Sequence, residues 1–146
     1  MRSKSRFRRS VSEDSNTWLR YGAHPGKFVF IDDIKNKYRI CSAVESHSRG
    51  MNVDFYLRKA AVDSDGFEKA MAISRSYGRI SREDEAPLRV AFYVREALSM
   101  LYGASDACAE ELLLFAVKIS REQTLKRIDL LDCQPEYKEK LKSLMP

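Results

Sequence analysis

Side chains able to act as nucleophile or base are scarce in this 146-residue chain. The histidines are His24 and His47, and the cysteines are Cys41, Cys108 and Cys133. Cys41 and His47 lie near one another in sequence, but Cys41 falls in an apolar, strand-like pattern where a thiol stays protonated and unreactive. Three cysteines without a CxxC pair argue against a zinc site and favour a reducing, intracellular location.

Acidic pairs are the other candidates for acid–base chemistry. Asp32-Asp33 and Glu110-Glu111 fit a turn and a helix surface better than an active site, because adjacent helical residues do not face each other. The chain has no phosphate-binding loop, dinucleotide fingerprint, GxSxG or HExxH motif. We therefore predict a protein that is not an enzyme and holds no cofactor or metal.

Charge divides the chain in two. Residues 1–82 hold 17 Lys and Arg against 9 Asp and Glu, whereas residues 83–146 hold 9 against 12. This asymmetry predicts an anionic partner for the front end, and nucleic acid is the commonest. No apolar run approaches the roughly 18 residues of a transmembrane helix, so no membrane contact is expected.

The front end, residues 1–82, is predicted to form an arm followed by a small sheet. Residues 1–17 are basic and serine-rich and form the predicted arm, and residues 18–82 form the first folded unit. Aromatic and β-branched residues with period-two alternation predict strands over 27–31, 37–44 and 52–58. The cluster 63–66 predicts the end of the sheet and the cap of a helix whose apolar stripe contains Phe67, Ala70, Met71 and Ser74.

The back end, residues 83–146, reads as helices. Ser81 with Asp84, Ser105 or Asp106, and Ser120 with Gln123 are predicted helix starts, and Pro135 opens a last helix. The apolar run 112–117 predicts the buried centre of this part. The predicted fold is α+β: a three-stranded antiparallel sheet packed by one helix, followed by an antiparallel bundle of about four helices.

The exposed face of that sheet is the candidate site. Alternation places basic and aromatic side chains on one face, where they can contact phosphates, read base edges or stack on bases. The predicted nucleic-acid-binding residues are Lys37, Arg39, Tyr56 and Arg58 on the sheet, with Arg6, Arg8 and Arg9 on the arm.

The order of the predicted strands and helix resembles that of a known domain. Three strands leading into Gly66-Phe67-Glu68-Lys69-Ala70, and on to Ser74-Arg75, resemble the Apetala-type DNA-binding domain of plant ethylene-response and apicomplexan regulators, over about residues 18–78. The resemblance implies that the sheet lies in the DNA major groove. It carries the contact role to Lys37, Arg39, Tyr56 and Arg58, and adds Lys27 on the first strand.

Three functions follow as hypotheses. The first is nucleic-acid binding, to DNA or RNA, by the sheet, with residues 83–146 binding a protein partner or a second copy. The second is a structural RNA- and protein-binding subunit of a large assembly such as a mitochondrial ribosome. The third is an adaptor that only binds proteins. The arm fits a mitochondrial presequence, a binding arm or a plain solvated terminus, so nucleus, cytoplasm and mitochondrion all stay open.

Overall fold

The computed structural model describes residues 13–27, 53–103 and 105–146. They form six helices: α1 (Glu13–Ala23), α2 (Val53–Ser76), α3 (Arg82–Tyr102), α4 (Asp106–Ile119), α5 (Arg121–Asp129) and α6 (Pro135–Ser143). These three ranges contain no strand, and none of their helices is long and apolar enough to span a bilayer. The described part of the chain is all-helical, so the predicted α+β fold is wrong.

The described residues of the predicted third strand, 53–58, form the start of α2. Tyr56, expected on the outer sheet face, is 7% exposed, whereas Leu57, expected inside, is 45% exposed. The inner side chains of α2 recur at three- and four-residue intervals, which is the period of a helix. Of the first two predicted strands, 27–31 and 37–44, all but Lys27 lie outside the described residues.

The cluster 63–66 lies in the middle of α2 and does not cap it. Gly66 serves close packing there, since a Cβ at this position would lie 2.9 Å from the Cα of Asn16 on α1. The stripe predicted from Phe67 onward is confirmed as an inner face: Met71 is buried, and the other three members are partly buried.

The predicted starts of the later helices are confirmed. Ser81 and Asp84 form a reciprocal capping box, in which the Ser81 N–H donates to Asp84 Oδ2 at 2.7 Å. Ser105 Oγ and Ser120 Oγ each accept the backbone N–H three residues on, and Pro135 is the first residue of α6. Caps depend on neighbours in sequence, which is why they can be predicted locally.

Helices α3 to α6 enclose the main core. Leu113, Ile128 and Leu141 are fully buried there, and Tyr56 of α2 joins the same cluster. Gly103 leaves room for that ring, because a Cβ on it would lie 2.5 Å from Tyr56 Cδ2. The run 112–117 is only partly the buried centre that was predicted, because its members Leu114 and Phe115 are exposed.

Candidate functional site

Helix α1 packs along the C-terminal part of α2 and runs in the same direction. Asn16 Nδ2 donates to the Val62 carbonyl at 2.9 Å. Nearer the other end, Arg79 Nη1 donates to the His24 carbonyl at 2.7 Å. Among the described helices, α1 packs against α2 alone.

Helix α3 packs on another side of α2 and runs antiparallel to it. The Phe67 and Phe92 rings stack with centroids 4.5 Å apart. The Arg89 guanidinium binds the Glu68 carboxylate through both terminal nitrogens and lies 5.8 Å from the Phe67 ring centroid. These contacts fix which face of α2 lies between α1 and α3.

The face of α2 between these two helices, which includes the buried Asp63 and Met71, forms the floor of an open groove of about 760 Å³. Helices α1 and α3 form its walls. The floor residues span positions 59 to 74 of α2, a length of about 22 Å at the helical rise of 1.5 Å per residue. The residues that line the groove include Trp18 and Leu19 from α1, Lys59, Phe67 and Met71 from α2, and Leu88 and Arg95 from α3.

A cluster of charges lies at one end of this floor. Lys59 Nζ is 2.5 Å from Asp63 Oδ2 and 3.9 Å from Glu96 Oε2, and both carboxylate side chains are 1% exposed. Arg95 Nη2 is 3.5 Å from Glu96 Oε1. Two buried carboxylates therefore share one lysine, with an arginine at the edge. Breaking such a buried group is expensive, because a desolvated charge is left without its counter-ion.

Burial raises the pKa of the Glu96 carboxyl group. The nearby charges of Lys59 and Arg95 lower that pKa, while the charge of Asp63 raises it further. Within the described part of the chain, Glu96 Oε2 accepts no hydrogen bond. Glu96 is thus poorly stabilised as an ion, since an ionised carboxylate ordinarily needs hydrogen bonds in a dry environment.

The groove presents apolar surface and positive charge to solvent. Trp18 on the α1 wall is exposed, as is Arg95 on the α3 wall, and Lys59 is half-buried. Asp63 and Glu96 lie beneath these cations and have almost no accessible surface. A ligand entering the groove therefore meets cations before it meets carboxylates.

The predicted nucleic-acid-binding residues are not brought onto one face by the described structure. Tyr56 is buried in the core, and Arg58 lies on α2, where its guanidinium pairs with the Asp54 carboxylate. Lys27 is exposed just beyond α1. Lys37, Arg39, Arg6, Arg8 and Arg9 lie outside the described residues.

Sequence reasoning missed the groove and its charged cluster. Lys59 and Asp63 stand four residues apart, and Glu96 stands alone among the apolar residues of α3. A single acid on the inner face of a helix signals a buried carboxylate with a partner elsewhere. The partner of Glu96 is Lys59 on α2, and a strand prediction over 52–58 hides this pairing of two helices.

Comparison of the chain with protein-family models, with curated proteins and with solved structures found no match. The resemblance to the Apetala-type domain stays a hypothesis from sequence. The predicted third strand, through which it assigned roles to Tyr56 and Arg58, is replaced by helix α2 over residues 53–58.

Proposed function

We propose that this protein is a non-catalytic interaction module that binds an amphipathic helix of a protein partner in the groove over α2. The observation that carries the proposal is the shape of the groove: it follows α2 for about four turns, at 3.6 residues per turn. A channel of that length, bounded by one helix on each side, matches a helix lying along a groove.

The walls and floor define the chemistry of the partner. Leu19, Phe67 and Leu88 offer an apolar strip, which calls for apolar side chains spaced at i, i+3 or i+4, and i+7. Arg95 calls for an acidic residue on the partner's flank, since its side chain is exposed and its ion pair with Glu96 is long, at 3.5 Å. The partner helix is thus amphipathic and acidic.

Trp18 provides a direct test, because it is the only tryptophan and lies on the wall of the groove. Helical peptides of about 16 residues, enough for the four turns of the groove, are selected by display against the full chain. Each selected peptide is then titrated while Trp18 emission is followed. We expect selected sequences with an apolar stripe and flanking acids, and a blue shift of Trp18 emission on binding.

Two substitutions of matched exposure complete the test. Leu88 lines the groove and is 38% exposed, while Leu125 on α5 is 37% exposed and lies away from it. Leu88→Glu should weaken peptide binding at least tenfold, by placing a charge in the apolar strip, whereas Leu125→Glu should leave it unchanged. Equal binding to both variants, or a preference for basic peptides, would contradict the proposal.

A second candidate function is supported by the position of the excess charge. Five of the 26 basic residues lie within residues 1–12, and none of the 21 acidic residues does. The remainder of the chain is neutral, so contact with nucleic acid is proposed for the arm alone. Binding to a DNA duplex and to an RNA hairpin at two salt concentrations, with and without residues 1–12, tests this. Equal affinity for nucleic acid after deletion of residues 1–12 would contradict binding by the arm.

A further inference from the structure

Helix α4 has an outer face that the described part of the chain leaves uncovered, formed by Glu111, Leu114, Phe115 and Lys118. All four residues are exposed, and the Phe115 ring is 51% exposed. The opposite side of α4, by contrast, is buried in the main core. Neither Glu111 nor Lys118 forms an ion pair within the described part of the chain. The outer face thus combines an apolar centre with one acidic and one basic end.

The ring at the centre of this face is held in place. Phe115 stacks on Tyr93 of α3 with centroids 5.6 Å apart and planes inclined by 27°. Lys118 Nζ lies 5.9 Å from the Phe115 centroid on the same face. An exposed aromatic ring that is already ordered loses little conformational freedom when something packs on it.

The four residues form a pattern that matches itself when reversed, with the acid and the base at opposite ends. They occupy positions i, i+3, i+4 and i+7, which form one contact patch on a helix. The midpoint of the patch lies between Leu114 and Phe115. Glu111 and Lys118 each lie about 5 Å from that midpoint along the axis, on opposite sides, at 1.5 Å per residue.

We infer that the outer face of α4 packs against the same face of a second copy of this chain, antiparallel, about a two-fold axis through that midpoint. The axis sets Leu114 of each copy against Phe115 of the other, and Glu111 of each against Lys118 of the other. One contact is thereby made twice, as in any isologous interface. No second type of partner is needed to match both charges.

The expected dimer is weak. A stable interface buries about 800 Å² on each partner, and the outer face of one helix of 14 residues supplies less than that. The dimer should therefore dissociate on dilution. Its formation leaves the groove over α2 accessible, since α4 does not line that groove.

Sedimentation equilibrium of the full chain, with charge-reversed variants, tests the inference. Glu111→Lys and Lys118→Glu each replace two attractive pairs with two repulsive ones, and each should raise the dissociation constant about tenfold. An equimolar mixture of the two variants restores both attractive pairs in the mixed dimer. We expect the mixture to associate about as tightly as the wild type.

The matched control is the pair Glu122→Lys and Lys126→Glu on α5, whose side chains are also exposed; these changes should not alter self-association. Circular dichroism checks that every variant keeps its helix content.

If a charge reversal lowers the helix content, Glu111→Gln and Lys118→Gln replace the pair. Each should raise the dissociation constant about threefold. A wild type that stays monomeric at about 1 mM overturns the inference. So does a dimer insensitive to these changes, or a mixture that does not recover.

Discussion

Helix α2 carries two lysine–aspartate pairs with the same i,i+4 spacing and opposite surroundings. Lys59 Nζ lies 2.5 Å from Asp63 Oδ2, with the aspartate side chain 1% exposed and Glu96 beside it. Lys69 Nζ lies 2.6 Å from Asp65 Oδ2, with both side chains 52% exposed. The two ion pairs have nearly equal N–O distances on one helix and differ in their access to water. They also differ in order, since the lysine precedes the aspartate in the buried pair and follows it in the exposed one.

The difference in exposure decides how much each ion pair affects the stability of the fold. Water stabilises each exposed ion separately, so the Lys69–Asp65 pair adds little to the stability of the fold. The Lys59 ammonium group, however, is shared by two carboxylates that have been removed from water. Such a group adds little net stability as a whole, but the fold depends strongly on the shared Lys59, because its loss leaves two buried carboxylates without a counter-ion.

The largest expected effect is that of Lys59→Met, which keeps most of the apolar stem and removes the shared cation. Asp63 and Glu96 then lose their closest positive charge in a dry site. The free energy of unfolding should fall by about 3–5 kcal/mol, measured by urea denaturation at neutral pH. Adding Glu96→Gln to this variant should recover part of the loss, because one buried charge is removed. A loss no larger than that of Lys69→Met would break the comparison.

An intermediate effect is expected for Glu96→Gln, and it should depend on pH. The pKa of Glu96 is raised in the folded protein, chiefly by burial. The resulting stabilisation is fully present below the unfolded pKa, about 4.3, and is lost as the pH rises through the folded pKa. The glutamine variant should therefore match the wild type near pH 4 and be more stable at pH 7 by up to about 1 kcal/mol.

Thermal and urea unfolding of wild type and Glu96→Gln across this pH range would check the sign. Other carboxylates change the stability of both proteins alike, so the difference between the two curves is the quantity to follow. An advantage for glutamine that is largest at acid pH would mean that Glu96 is stabilised as an ion. The buried cluster would then resemble the exposed pair more than the structure indicates.

Helix starts in the later part of the chain could be predicted from sequence because they are local. Ser81, Ser105 and Ser120 each bond a backbone N–H three residues on, and Pro135 needs no partner for its nitrogen at the first helical position. None of these interactions depends on a distant segment. Their geometry follows from a few neighbouring residues.

The start of α2 could not be predicted in this way. A stretch as short as 52–58 fits period two and period 3.6 almost equally well. The deciding contact is between Tyr56 and the space left by Gly103, which lies far along the chain. Likewise, Gly66 reads as a helix breaker until Asn16 is seen against it. The groove and the Lys59 cluster depend on the same pairings between distant helices.

The smallest effect is expected for Lys69→Met, which tests the exposed ion pair against the buried one. The pKa of Asp65 is lowered by its hydrogen bond from Lys69 and then by the one from Asn16, which lies 3.1 Å away and remains in the variant. The lost stabilisation should be below about 0.5 kcal/mol at neutral pH, and it should vanish as acid protonates Asp65. Urea denaturation in 1 M salt should also erase it, since salt screens exposed ions, while the deficit of Lys59→Met persists. A loss above about 1 kcal/mol that resists salt would show that exposure does not govern this pair.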